Sequence, residues 1–369
     1  MSFVEWRSTC PNSWFSCNPG ENGFLPINKP LTKLPEKYQI INDILDNMMI
    51  SKKGYLFDGK LGNYINNYLP TIDLTDENDV AILATLQRDY TFIASAYSLE
   101  TSHNDMTDDG KYGVARTRLP PQLSEPLLQL SKKNDVFPWL DYAYGYGLNN
   151  GFLKDGCDPT KHESYETIRM FNGCQSESGF INVHVAMDAQ SGLLLKHQQN
   201  ILKYADQNDT DLLSKSLSEH HKTLQSIINT LQTMWKASSY KDYLSFRTFI
   251  MGQIGNDKCY PEEKIYFDKL DGSVEEHMYR GETGAQDSII PSIDNLFEIE
   301  YPVNKLTEYL YDLRQYRPKD HQAYIEYNKL MAKQVKLKET IFKSTKASLE
   351  LLKNLNCIRI FRGKHWNLT

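Results

Sequence analysis

Two histidines and an arginine stand where their neighbours turn them inward. Counting back from Leu368, apolar or small side chains recur at Phe361, Ile358, Leu355, Leu352, Ser348, Thr345 and Ile341, in helical steps, and His365 falls on that stripe. Its imidazole is expected to point into the interior. The bland reading is a core histidine whose ring nitrogens are satisfied by neighbours. Two nearby residues favour a ligand instead. Arg362, one turn earlier on nearly the same face, needs an anion if it points inward. Gly363 interrupts the helix at a cost of about 1 kcal/mol relative to Ala, which makes sense if something bulky must approach the backbone. A haem answers both needs, offering iron to His365 and a propionate to Arg362.

Phe180 and His184 lie four residues apart on a second helical pattern and share a face with Met187. Bis-histidine ligation would make an electron carrier, a distal histidine held off the iron would make an oxygen site, and a core histidine bonded to a backbone carbonyl would do neither. Arg247, within YLSFRTFIMG, has the most apolar setting of any arginine in the chain. It pairs with an internal carboxylate or waits for a ligand carboxylate, which a guanidinium can grip with two parallel bonds. The stretch GETGAQ, residues 281–286, reads as a flexible turn entering a helix and fits neither a dinucleotide fingerprint nor a P-loop. Asp294 on that helix could hold an arginine such as Arg362.

The elements that must position these residues are mainly helical. Helical spacing appears over Pro35–Asn47, Asp76–Glu100, Gly179–Tyr204, Asp209–Lys236, Tyr240–Met251, Ser288–Ile299, Val303–Leu313 and Asp320–His365. Pro126 suits the first turn of one helix, and Pro138 can open another carrying Tyr142, Gly145 and Tyr146 on one side. Residues 1–30 read as an irregular arm laid over the surface, and His103–Tyr112 as a solvent loop. Asn149, Asn150, Gly151, Pro159 and Gly173 mark 148–178 as a linker, giving an expected boundary between a small domain, 1–155, and a large one, 156–369. Gly252–Gly284 is a long loop of the kind that is often functional. No repeat and no strand-rich block appears, so the expected class is mainly α.

The chain has 369 residues, 40% of them hydrophobic and 24% charged, enough for a large core. A net charge of −6, with no basic stripe, argues against nucleic acid or an anionic membrane as partner. The six cysteines, among them Cys10 and Cys17, form no CxxC pair, so zinc ribbons and thioether-linked haem are unsupported. With no signal peptide and no apolar run long enough to span a bilayer, a reducing cytoplasm is the default expectation. The oligomeric state is left open, with a monomer favoured.

Seven blocks in order resemble the indoleamine 2,3-dioxygenase family of histidine-ligated haem enzymes: LPINKPLTKLPEKY, LPPQLSEPLLQLSKKNDVFPWLDYA, SGFINVHVAMDAQSG, FRTFIMGQIGN, YRGETGAQDSIIPSIDNLF, YLYDLRQYRPKDHQAYI and FRGKH. The resemblance implies an all-helical large domain holding non-covalent haem b, capped by a smaller, mainly α domain. It implies His365 as proximal iron ligand, Arg362 as propionate partner held by Asp294, Arg247 on the substrate carboxylate and Phe180 on the substrate ring. Thr283 and Gly284 would belong to the loop closing over substrate and haem, and Tyr142 and Gly145 to the pocket roof. Three departures stand out. The family's animal members have serine where this chain has His184, Asp242 with Tyr243 beside it replaces a pocket aromatic, and the chain stops at Thr369 where the family continues its proximal helix and adds a loop.

The implied activity is insertion of both atoms of O2 into the C2–C3 bond of an indole such as L-tryptophan, giving an N-formylkynurenine, with aromatic amino acid and O2 as partners and tryptophan catabolism as setting. His184 would hydrogen-bond the indole N–H or the oxygen. Asp242 and His184 also suit a monooxygenase or ring-rearranging enzyme of secondary metabolism acting on another aromatic amino acid. A haem-based gas sensor or carrier is the reading from another class, and Arg247 argues against it, since gas binding needs no carboxylate clamp.

Overall fold

The computed structural model describes residues 2–7, 13–107 and 110–368, with 367 and 368 described in backbone only. Cys10 and Thr369 therefore lie outside the described residues, as does the side chain of Leu368. The helices in chain order are α1 (Phe3–Trp6), α2 (Gln39–Asp46), α3 (Leu61–Tyr68), α4 (Val80–Asn104), α5 (Pro121–Asn134), α6 (Gln175–Asp188), α7 (Ser191–Asp206) and α8 (Thr210–Gln232). They continue with α9 (Met234–Ala237), α10 (Tyr240–Arg247), α11 (Ile289–Leu296), α12 (Lys305–Asp312), α13 (Lys319–Gln334), α14 (Leu337–Phe342) and α15 (Thr345–Leu368). Among the described residues five short strands, β1 (Arg118–Leu119), β2 (Gly151–Leu153), β3 (Tyr165–Thr167), β4 (Ile265–Asp268) and β5 (Val274–His277), complete a mainly α fold.

Two apolar cores dominate. One joins α2 to α5 with Phe171, Phe246, Phe249, Tyr260 and Phe267, and the other fills the bundle of α7, α8, α11, α13 and α15. Phe180 packs against both. The segment after α10 returns to the N-terminal core, where β4 pairs in parallel with β1 and antiparallel with β5. The stretch expected as a linker carries the β2–β3 hairpin.

Helix α4 is capped by Asp79, whose carboxylate accepts from the backbone N–H groups of Ala81 and Ile82. It is buried on every side from Leu83 to Glu100, so it carries its own polar partners inside. Arg88 donates to Asp89 at 2.8 Å, and Arg169 grips the same carboxylate with both its Nε and Nη2.

Several elements differ from their sequence-based expectation. Helix α5 starts at Pro121, not at Pro126, which lies inside the helix where it removes one intrahelical bond. Pro138 opens no helix. Trp139 and Leu140 are drawn into the core, and a single π turn, Tyr142–Tyr146, follows, its N–H groups at Tyr144 and Gly145 bonded to the Asp141 carboxylate. The helix expected over Gly179–Tyr204 is broken between α6 and α7 because the N-terminal arm seats there. Ser191 Oγ donates to the Asp188 carbonyl and accepts from Phe24 N–H, and a Cβ on Gly192 would come within 2.0 Å of the Glu21 carbonyl oxygen. The arm is accordingly not laid over the surface, since Phe15, Cys17 and Phe24 are fully buried.

Gly179 sets how closely α6 approaches α9, because a Cβ there would sit 2.0 Å from the Ala237 carbonyl oxygen. Gly179→Ala is expected to destabilise the protein by about 1–3 kcal/mol, the usual cost of forcing a methyl into a packed contact. Urea unfolding measures it, and a variant as stable as the parent would show that the Ala237 turn yields freely.

Candidate active site

The site forms where α6, α10, α15 and the loop 281–286 converge on a cavity of about 410 Å³ lined by Phe180, His184, Tyr243, Arg247, Glu282, Thr283, Gly284 and His365, with Leu231 and Met234 at one wall. Exposed Trp235 and Tyr240 also line it. Helix α6 supplies Phe180 and His184, whose rings lie 5.0 Å apart between centroids. Its first turn is pinned by Glu177, which accepts from the N–H groups of Phe171, Asn172 and Gly173 and is pushed up to about 7 by burial. His184 is 8% exposed. Burial, reinforced by the proximity of His365, holds its pKa down at about 3, so the imidazole is neutral.

Behind His184 stands Tyr142, edge-on at 5.4 Å, its hydroxyl donating to Asp188 Oδ2 at 2.9 Å. Asp188 faces Asp287, and burial raises both carboxyls, Asp188 further through the charge of its neighbour. This pair ties α6 to the loop. Buried Arg317 donates to the carbonyls of Ala285 and Asp287, and Gln286 accepts from Tyr142 N–H. The loop thus presents Gly284 to the cavity at a fixed place. A Cβ on Gly284 would meet His184 Cε1 at 2.9 Å and His365 Nε2 at 3.6 Å, so the two imidazoles converge on a cradle that any side chain would fill. Thr283 Oγ1 accepts from Ala285 N–H.

Arg247 ends α10 and reaches the cavity with Nη1 buried and without a hydrogen-bond partner. Glu282, 4% exposed, faces the same space, and its Oε2 is likewise buried and unpartnered. Burial pushes its carboxyl up to about 8, against the pull of Arg247. Tyr243 packs on Phe180 at 5.5 Å. Asp242 does not enter the cavity. It is exposed and accepts from Ser176 Oγ at 2.6 Å, because one residue along a helix turns a side chain by about a quarter turn or more. The polarity expected from Asp242 comes instead from Glu282, Ser238 and Ser239.

Helix α15 brings His365 to the cavity on a stripe that differs in part from the expected one. The buried positions are Ala347, Leu351, Asn354, Cys357, Ile358 and Phe361, while Leu352 is 59% exposed. The steps still arrive at His365, which burial keeps below the ordinary histidine pKa. Arg362 donates to Asp294 Oδ2 at 2.6 Å and to the Tyr301 hydroxyl, and stacks over the Tyr301 ring at 4.6 Å. It borders a separate apolar groove of about 500 Å³, not the cavity of His365. A Cβ on exposed Gly363 would touch no protein atom within 4 Å. Gly145 likewise stands back from the cavity, against Leu140 and Thr91.

These residues fit a haem. Among the described residues no cluster of three His, Cys, Asp or Glu side chains could hold a bare metal ion, whereas a haem would ask the protein for a single ligand, which the His365 imidazole could supply. The neutral imidazole and the Gly284 cradle suit a flat group. Residues that sequence reasoning missed are Glu282, Met234, Leu231 and the aromatic rim. A lone acid among the small residues of GETGAQ was the only signal for Glu282.

A family model described as "Indoleamine 2,3-dioxygenase" matches residues 17–369. Similar relatives include an indoleamine 2,3-dioxygenase, nanC, of Aspergillus nanangensis, 23% identical over 314 residues that cover 82% of this chain and 72% of the relative. A second, acdA of Aspergillus candidus, is 21% identical over 320 residues, 82% of this chain and 74% of the relative. A 6-hydroxytryptophan 2,3-dioxygenase, fscD, of Fusarium equiseti is 25% identical over 307 residues, 82% of this chain and 70% of the relative.

Proposed function

The chain belongs to the indoleamine 2,3-dioxygenase family and is an oxygenase, and on that premise we propose that it binds haem b through His365 and opens the indole ring of L-tryptophan or a related indoleamine with O2, giving an N-formylkynurenine-type product. The observation that carries the reading is the one cavity that collects His365, His184, Phe180 and an Arg247 whose Nη1 is buried without a hydrogen-bond partner. Haem, when bound, supplies the redox chemistry that makes O2 reactive. The chain's own residues bind, orient and exclude water.

Arg247 is the anchor. A buried guanidinium nitrogen without a partner, as at Nη1, is costly, and a substrate carboxylate would relieve that cost with charge-assisted bonds. Phe180 and Tyr243 offer ring faces to an indole. His184, neutral, can accept a hydrogen bond from the indole N–H or donate one. Fixing the ring between Phe180 and His184 while the 281–286 loop covers it converts a bimolecular encounter into a positioned one.

Arg247→Ala is expected to raise the apparent substrate constant at least about tenfold, since removing one partner of a buried charge pair costs on the order of 2–5 kcal/mol. If tryptamine, which lacks the carboxylate, binds the parent protein as well as L-tryptophan does, the clamp is refuted. The Ser238 and Ser239 positions on the cavity wall support a second reading, a ring-hydroxylated tryptophan such as the Fusarium relative's name specifies. Mass spectrometry of products from the reduced holoprotein, O2 and a panel of aromatic amino acids decides between them.

A further inference from the structure

We propose that Glu282 is the receptor for the substrate's α-ammonium group, so that Arg247 and Glu282 together read the zwitterionic head of an aromatic α-amino acid. The proposal rests on the function inferred above and names a specificity residue within the same site.

Glu282 is a carboxyl almost fully removed from water, on the wall of the cavity, with Oε2 bonded to nothing. Other buried carboxyls in this protein have at least one oxygen bonded, and so do Asp188, Asp287 and Asp320, each of which leaves its second oxygen open. Glu177 accepts three backbone N–H groups, Glu100 accepts from Leu61 and Gly62 N–H and from Arg116, and Asp141 accepts from Tyr144 and Gly145 N–H. Glu282 stands apart from that pattern, and an unsatisfied buried carboxyl is retained at a cost. Its strongest charged neighbour is Arg247, yet Nη1 of Arg247 is also unpartnered, so at these atoms the two do not satisfy each other.

A half-buried guanidinium and a buried carboxyl, near enough to feel one another but each open to the same cavity, match a ligand carrying opposite charges on one carbon. An α-amino acid has that arrangement. Its carboxylate would take Arg247 and its ammonium would take Glu282, leaving the side chain for Phe180 and Tyr243. Burial raises the Glu282 carboxyl, and a ligand cation is the partner that returns it to its charged form. The backbone holds the residue in place, since Glu282 N–H donates to the Ile250 carbonyl at 2.9 Å, and a Cβ on Gly281 would meet the Ile250 carbonyl oxygen at 2.3 Å. Glu282 is therefore fixed to the end of the segment that carries Arg247.

Calorimetric binding to the haem-loaded protein tests this with L-tryptophan, indole-3-propionate, which lacks the ammonium, and tryptamine, which lacks the carboxylate. In the parent protein L-tryptophan should bind at least about tenfold tighter than indole-3-propionate, the effect of one buried charge-assisted pair. Glu282→Gln should erase that preference by weakening L-tryptophan and tryptamine while leaving indole-3-propionate unchanged or tighter, and Glu282→Asp should restore part of it. Because the readout is a ratio of dissociation constants, a merely structural loss would move all ligands together and would overturn the proposal. Equal affinity of the parent for L-tryptophan and indole-3-propionate would overturn it without any variant. A loss in Glu282→Gln confined to 6-hydroxytryptophan would overturn it too, reassigning the carboxyl to the ring. Failure of every indole to bind the parent would instead refute the site's function as a whole.

Discussion

His365→Ala is expected to yield a folded protein that retains no haem, or retains it without a protein ligand on the α15 side, and that has no measurable turnover. The side chain reaches the cavity at the end of a buried stripe through Ala347, Leu351, Asn354, Ile358 and Phe361, and its Nε2 faces the Gly284 cradle. Burial keeps the ring neutral, which is the form that donates a lone pair to iron. Among the described residues the one other imidazole lining the site is His184. Since His365 is only half-buried, removing it should cost the apoprotein little, so haem content and stability separate cleanly. Haem content by extraction and the visible spectrum are the measurements. Full haem with an unchanged spectrum would refute His365 as the ligand, and retention that vanishes only when His184 is also replaced would move the ligand to α6.

The second large effect is expected at His184. His184→Ser should still bind haem and substrate but turn over more slowly by about ten- to a thousandfold, the range for one positioned proton-transfer or hydrogen-bonding group. The ring is held from two sides, by Tyr142 edge-on and by Phe180. The Tyr142 side is itself rigid, since Tyr142 is bonded to Asp188 through its hydroxyl and to Gln286 through its N–H. A neutral imidazole fixed in this way can hydrogen-bond substrate or oxygen without a change of charge. Serine keeps a hydroxyl but not the reach. Single-turnover kinetics with equal substrate binding in both proteins would place the loss in the chemical step. A resting spectrum of two axial histidines that persists with substrate bound, and disappears in His184→Ser, would instead favour electron transfer.

That His365 and His184 face inward was legible in the sequence because a helical face is a local property. The spacing of Phe180 and His184, the stripe ending at His365 and the apolar setting of Arg247 each depend on fewer than about ten neighbours, and the period of 3.6 residues fixes which side chains share a direction. The mainly α class follows from the same patterns, and the seven blocks placed the chain in its family before any contact was known. What the sequence could not determine is what stands opposite each residue. The break between α6 and α7 exists because Gly192 and Ser191 receive an arm from the far end of the chain. The long loop after α10 gains β4 only because β1 lies beside it. Tyr243, not Asp242, faces the cavity, and Gly284 is needed because two histidines far apart in the chain close on its Cα. Glu282 acquires its meaning only beside Arg247 in the cavity wall, since burial and missing partners are properties of packing between segments distant in the chain and leave no trace in local periodicity.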